Sequence, residues 1–114
     1  MANPPQGQKD APPSFAQEVL LSDVLAGAGY DCGYVGKWHM GQQRGQRPGF
    51  DYSASFIGQG RYRDCPFEIN GRETPTAGWV DDVATDYAIA FLRQHRAEPF
   101  SLVVGYKACH GPFD

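Results

Sequence analysis

Two short runs in this 114-residue chain hold the residue types that chemistry on an anion requires. One is Gly36-Lys37-Trp38-His39-Met40-Gly41 and the other is Lys107-Ala108-Cys109-His110-Gly111-Pro112. A lysine between glycine and tryptophan is a point charge on a controlled backbone, suited to an anionic oxygen. A histidine beside an anion is favoured in its charged form. It can then give a proton to a departing alkoxide. Lys37, His39 and His110 together would make a cationic cage for a sulfuryl or phosphoryl group. A loop histidine taken singly is more often a surface or packing residue, so the reading rests on the cluster. Lys107 could reach the same anion, but its default reading is a solvated side chain.

Each run follows a stretch that reads as a strand. Tyr30 to Val35 is β-prone and ends at Gly36. Phe100 to Tyr106 (FSLVVGY) is almost continuously apolar, the pattern of a strand buried on both faces in a parallel sheet. Open α/β sheets bind ligands at the carboxyl ends of their strands. If the two strands are parallel, the two runs converge on one edge.

Further elements must hold those strands. Leu20, Leu21, Val24, Leu25 and Ala28 fall on one helical face, and Gly27 and Gly29 end the pattern, which predicts a helix over about residues 17–27. Ser14 and Gln17 could cap it. Val83, Tyr87, Ala88, Phe91 and Leu92 form a second helical stripe within 80–94. Asp81 and Asp82 at its start read as capping carboxylates, and His95 and Arg96 at its end complement the dipole. Phe67-Glu68-Ile69, Asn70-Gly71 and Arg72-Glu73-Thr74 read as a small hairpin, since Asn-Gly favours a type I′ turn. Gly41 to Pro48 reads as a polar loop, and Phe50 to Phe56 as an aromatic stretch touching the core. Residues 1–18, with Pro4, Pro5, Pro12 and Pro13, read as an extended loop. The pattern of helix, strand, irregular insert, helix and strand is α/β.

Composition removes other classes of function. The chain is 41% hydrophobic and 20% charged, ordinary for a globular domain. Its formal charge is −3, and Arg44, Arg47, Arg61 and Arg63 are spread through Gly- and Pro-rich sequence as solvated loop charges, so no nucleic-acid surface is predicted. No apolar run approaches the ~20 residues that span a membrane. The opening MANPPQGQKD has no apolar leader segment, and export would depend on a leader upstream. Cys32, Cys65 and Cys109 fit neither a disulfide framework nor a zinc pattern and read as small buried thiols.

The run GYDCGYVGKWHMG at 29–41 resembles the second signature of the sulfatase family, GY-x-(S/T)-x-x-(V/A)-GKWHLG. LLSDVLAGAGY before it, RPGFDY after it, and DDVATDYAIAFL followed by PFSLVVGYKACHGP resemble the family's successive elements. The resemblance covers residues 19–114 in order. It implies an alkaline-phosphatase-like α/β sandwich with a mainly parallel central sheet, of which 19–114 is a partial catalytic domain and about 58–79 an insert or specificity loop. By position it implies that Lys37 binds the sulfate and the aldehyde hydrate, that His39 supports the hydrate, and that His110 contacts the sulfate and protonates the leaving group. It also implies calcium and a formylglycine, the latter made from the first residue of a C/S-x-P-x-R motif.

The chain departs from that pattern in places. Cys32 stands where Ser or Thr is usual, and Cys109 where Pro is usual. No cysteine or serine here begins a C/S-x-P-x-R motif, and the resemblance puts the calcium ligands upstream of residue 1 and downstream of residue 114. The expectation is therefore an internal fragment of a sulfuric ester hydrolase, arylsulfatase-like, acting on a sulfated small molecule or carbohydrate and inactive in isolation. A phosphodiesterase or phosphonate hydrolase of the same superfamily, or a non-catalytic truncated anion-binding module, are the alternatives. Trp38 reads as a packing residue before a substrate-stacking one. Arg61, Tyr62 and Arg63 in the insert could meet an anionic sugar.

Overall fold

Alternation of side chains along the strands decides which face of the sheet becomes the core. In the computed structural model, which describes residues 20–38 and 44–112, strand β1 (Asp31–Lys37) turns Gly33 and Val35 toward one face. Cys32 and Tyr34 turn to the other. Strand β2 (Tyr52–Phe56) does the same: Tyr52, Ala54 and Phe56 join the core, while Ser53 and Ser55 face a polar layer. Helix α2 (Val80–His95) covers the apolar face with Val80, Ala84, Ala88 and Phe91. Phe91 lies so close over Gly33 that a Cβ there would sit 2.6 Å from its ring. Gly33 is thus the gap that lets the helix approach.

The sheet has five strands in the order β4-β3-β2-β1-β5. Strand β5 (Phe100–Gly105) runs parallel to β1, and β1 parallel to β2. The hairpin of β3 (Phe67–Ile69) and β4 (Arg72–Thr74) adds an antiparallel flank. Asn70 at φ 50° and Gly71 at φ 87° supply the paired positive φ that a type I′ turn demands. The α/β class and the mainly parallel sheet stand as expected.

Four expectations change. Phe50 to Phe56 is more than an aromatic contact, since 52–56 is a full strand of the parallel sheet. Helix α1 (Leu21–Gly27) forms, ending near Gly29 at φ 91°, but its apolar stripe is open: Leu21 is 75% and Val24 59% exposed. Strand β5 is an edge strand here, and Val103 on its α1 side is 46% exposed rather than covered. The reason is the same in both cases. The short helix α1, with Trp38 and Phe50 across a cleft from it, covers only part of that face. Cys109 is exposed, unlike the buried Cys32 and Cys65, because it sits in a loop beyond the sheet edge. The extended 1–18 segment and the Ser14–Gln17 cap lie outside the described residues. The start of α1 is held instead by Asp23, whose carboxylate accepts the Leu20 N–H at 2.9 Å.

Candidate functional site at the β1–β5 edge

Strands β1 and β5 pair in register from Asp31↔Phe100 to Gly36↔Gly105. Their carboxyl ends therefore leave the sheet side by side, with Lys37 one residue past the last pair and His110 five residues past it. The paired glycines make this possible. Gly36 has φ 107°, a conformation that side chains disfavour. A Cβ at Gly36 would also land on the carbonyl oxygen of Gly105. Ser55 donates its hydroxyl to the Gly36 carbonyl at 2.6 Å and ties β2 into the same edge.

Lys37 is half-buried and makes no ion pair among the described residues. Its carbonyl accepts the Tyr34 hydroxyl. Tyr34, Trp38 and Phe50 form an edge-to-face trio, with centroids 5.0 Å apart for Tyr34–Trp38, 5.4 Å for Tyr34–Phe50 and 6.0 Å for Trp38–Phe50. Trp38 is thus a packing residue, as its type suggested. Burial of the Tyr34 phenol raises its pKa above the usual value, so it stays a neutral donor. His39 lies outside the described residues.

On the β5 side, His110 is exposed and its N–H reaches the Lys107 carbonyl at 3.1 Å, closing a turn. Lys107 is not solvated, as expected from its loop position, but buried to 6% exposure, its ammonium 4.8 Å from the centre of the Tyr62 ring. A cation over a π face is the arrangement that tolerates such burial. The Tyr62 hydroxyl donates to the His110 carbonyl at 2.5 Å. Asp81 does not cap its helix with its side chain. Its two carboxylate oxygens accept the N–H groups of Lys107 at 2.9 Å and of Ala108 at 3.0 Å. The reason is geometric: a carboxylate in the first turn of α2 stands beside the chain leaving β5, and two adjacent loop amides there need acceptors. Asp82 remains exposed in the same first turn.

The insert divides in two. Arg61 and Arg63 are exposed, Arg61 donating to the carbonyls of Arg63 at 3.1 Å and Asp64 at 2.9 Å. Tyr62 between them is fully buried, which removes it as a sugar contact. Arg47 also departs from the solvated reading. It is 1% exposed and paired to Glu68 at 3.0 Å. Sequence reasoning placed Lys37 and His110 on one edge, but it did not find Tyr62, Asp81 or Arg47 as the residues that hold the edge in shape. Asp81 was visible only as a first-turn carboxylate.

Open α/β domains bind ligands at the carboxyl ends of their parallel strands, and Lys37 and Lys107 lie at two such neighbouring ends. The sulfatase family model matches residues 2–114, and the chain belongs to the sulfatase family. It is 34% identical over 91 residues to the N-acetylglucosamine-6-O-sulfatase of Bacteroides thetaiotaomicron, a match that covers 76% of this chain and 16% of the relative. The structure of BT4656 in complex with its substrate D-glucosamine-2-N,6-O-disulfate matches with TM-score 0.78 and 30% identity, over 89% of this chain and 21% of that one. The structure of Ps i-CgsB with k-i-k-neocarrahexaose matches with TM-score 0.70 and 28% identity, over 80% of this chain and 26% of that one. The architecture is thus part of the alkaline-phosphatase-like α/β sandwich, and the chain spans about a sixth to a quarter of its relatives' length.

Proposed function

We propose that this chain forms one wall of the active site of a sulfuric ester hydrolase, with Lys37, His39 and His110 as its sulfate-facing residues. The observation that supports the reading is the register Gly36↔Gly105, from which Lys37 and the loop leading to His110 leave the sheet at adjacent ends of parallel strands. Lys37 then neutralises a non-bridging oxygen of the ester and stabilises the charge that develops on the sulfuryl group. His110 gives its proton to the bridging oxygen as the S–O bond breaks, so that ROH departs while the sulfuryl group passes to a nucleophile supplied from outside these 114 residues, from which it is released as sulfate with net uptake of water. His39 supports the nucleophile, as the family resemblance implies.

The formylglycine and calcium that the family resemblance implies are not assigned to residues of this segment. No cysteine or serine lies in the required motif, and among the described residues no three His, Cys, Asp or Glu side chains converge on a metal position. We infer that nucleophile and metal ligands come from chain outside these 114 residues, in keeping with the 16–21% of the first two relatives that the segment spans.

A sulfated carbohydrate is the favoured substrate class, because a relative of the chain is named for an N-acetylglucosamine 6-sulfate and a similar structure holds a disulfated glucosamine. The exposed Arg61 and Arg63 of the insert, which we read as a specificity loop, suit further anionic groups on such a sugar. The test is sulfate release from N-acetylglucosamine-6-sulfate by the full-length protein that carries this segment, set beside a phosphodiester and a phosphonate ester. Lys37→Ala and His110→Ala should each lower kcat/KM by about 100-fold or more. Phosphodiester turnover above sulfate-ester turnover would reverse the assignment.

A further inference from the structure

We propose that Tyr62 and Asp81 are positioning residues that clamp the Lys107–His110 loop and act on the reaction through His110. The inference rests on the sulfatase reading of that histidine and adds to it two residues from other parts of the chain.

The loop leaves the sheet after Gly105 and would be free to move as an exposed edge segment. Instead its backbone is held at three of its four residues. Asp81 takes the N–H groups of Lys107 and Ala108 at 2.9 and 3.0 Å, one on each carboxylate oxygen. Tyr62 gives its hydroxyl to the His110 carbonyl at 2.5 Å, with the Lys107 carbonyl 3.5 Å away. The Lys107 ammonium, buried with its stem, lies 4.8 Å from the centre of the same ring. The His110 side chain is the part left exposed.

The two clamp residues are themselves one unit. The Tyr62 carbonyl accepts the Val80 N–H at 2.7 Å, next to Asp81 in the chain. The Tyr62 ring stacks on Trp79 with centroids 4.8 Å apart, and Arg63 bridges to Trp79 in the backbone. A charge-assisted pair of hydrogen bonds at one end and a buried hydroxyl at the other thus fix the loop from a rigid platform. A proton donor works only within hydrogen-bond reach of its acceptor, and a misplacement of about 1 Å can cost on the order of 100-fold in rate. The clamp therefore bears on proton transfer more than on binding.

The experiment uses the full-length protein and two aryl sulfates, one with a good leaving group (4-nitrophenyl) and one with a poor one (phenyl). Proton donation matters most where the leaving oxygen is basic. Tyr62→Phe and Asp81→Asn should lower kcat on phenyl sulfate about 10-fold, with KM changed less than about 2-fold and kcat on 4-nitrophenyl sulfate changed less than about 3-fold. In a His110→Ala background both substitutions should lose their effect, because the residue they position is gone. Asp81→Glu, which keeps both acceptor oxygens, should recover part of the loss. Equal loss on the two substrates, or the full loss persisting without His110, would overturn the clamp while leaving the sulfatase reading intact. A wild-type protein that turns over neither aryl sulfate nor N-acetylglucosamine-6-sulfate would overturn both. Should Asp81→Asn not fold, Tyr62→Phe, which removes a single oxygen, decides the matter alone.

Discussion

Removing one partner of the Arg47–Glu68 pair should cost this domain a large fraction of its stability. The guanidinium is 1% exposed and the Glu68 side chain 10%. Nη1 meets Glu68 Oε1 at 3.0 Å and also donates to the Gly45 carbonyl, while Nη2 reaches the Phe56 carbonyl at 3.3 Å. The same Glu68 oxygen accepts the Gly45 N–H at 3.0 Å, and Nε has no partner among the described residues. Arg47 is thus a buried cation whose only carboxylate among the described residues is Glu68. Breaking a buried pair from one side costs about 3–5 kcal/mol, because the remaining charge stays desolvated. Glu68→Gln keeps an acceptor in place and removes the charge, so it should fall lower, at about 2–3 kcal/mol. With a urea slope of about 1.5 kcal/mol per molar, that is a midpoint shift of about 1.3–2 M. Glu68→Leu alone should show the larger loss, whereas Arg47→Met with Glu68→Leu should recover most of it, since the apolar pair leaves no buried charge. The assay is equilibrium urea unfolding followed by tryptophan fluorescence, with wild type, Arg47→Met, Glu68→Leu and their double variant forming a double-mutant cycle. Single losses below about 1 kcal/mol that add in the double variant would show that the pair is solvated in practice and refute the argument.

Gly36→Ala should be as damaging as any substitution at the edge, because φ 107° and the Gly105 carbonyl both exclude a Cβ; a fall in melting temperature of about 10 °C or more is expected, and Gly27→Ala, where a Cβ meets open space, should be nearly silent. Thiol labelling should single out exposed Cys109, while Cys32 and Cys65 react only on unfolding. Burial raises both of those thiols above their ordinary 9.0, for Cys32 with help from Asp51, Asp31 and Asp23. A raised thiol contributes stability that is complete below pH 9.0 and lost as pH climbs toward the folded-state value, so the urea midpoint should decline above pH 9.0 and less so in Cys32→Ser. The 114-residue chain alone should release no sulfate from aryl or sugar sulfates, and measurable turnover by purified chain would show that its own residues supply a nucleophile.

Sheet edge and candidate site were legible to different depths, for physical reasons. The apolar run at 100–105 and the Asn70-Gly71 turn could be read directly, because each is a local preference that no distant contact reverses. Tyr52, Ala54 and Phe56 alternating with Ser53 and Ser55 is a period-two signal for β2, masked because the aromatic residues of 50–56 read as a core contact rather than a strand. The stripe expected on α1 is real as a pattern, yet Leu21 and Val24 lie open, since periodicity says which residues share a face and not what covers it. Asp81 could be placed in the first turn of a helix from sequence. That its carboxylate would serve a loop 26 residues away depends on β5 returning beside β1, which spacing does not encode.

The contrast between Asp81 and Arg47 shows how the chain uses buried polar groups. The two faces of the sheet have opposite chemistry: Val35, Ala54, Phe56 and Phe67 pack under α2, whereas Ser53, Ser55, Arg47 and Glu68 share a hydrogen-bonded layer on the other side. An apolar filling on that second side would also be stable, and for buried ion pairs is often more so. It would not fix the path of the 44–51 loop, because apolar contacts lack direction. Arg47 fixes it by reaching Gly45, Phe56 and Glu68 at once, which seats Phe50 against Trp38 and so braces the backbone of Lys37. Asp81 and Tyr62 do the same for His110 from the α2 side. Lys37 and His110 are thus each held by a polar brace of their own, one on each side of the sheet. Mispositioning should therefore be separable: loosening the Arg47 brace should weaken sulfate binding through Lys37 and appear in KM, whereas loosening the Asp81 brace should appear in kcat.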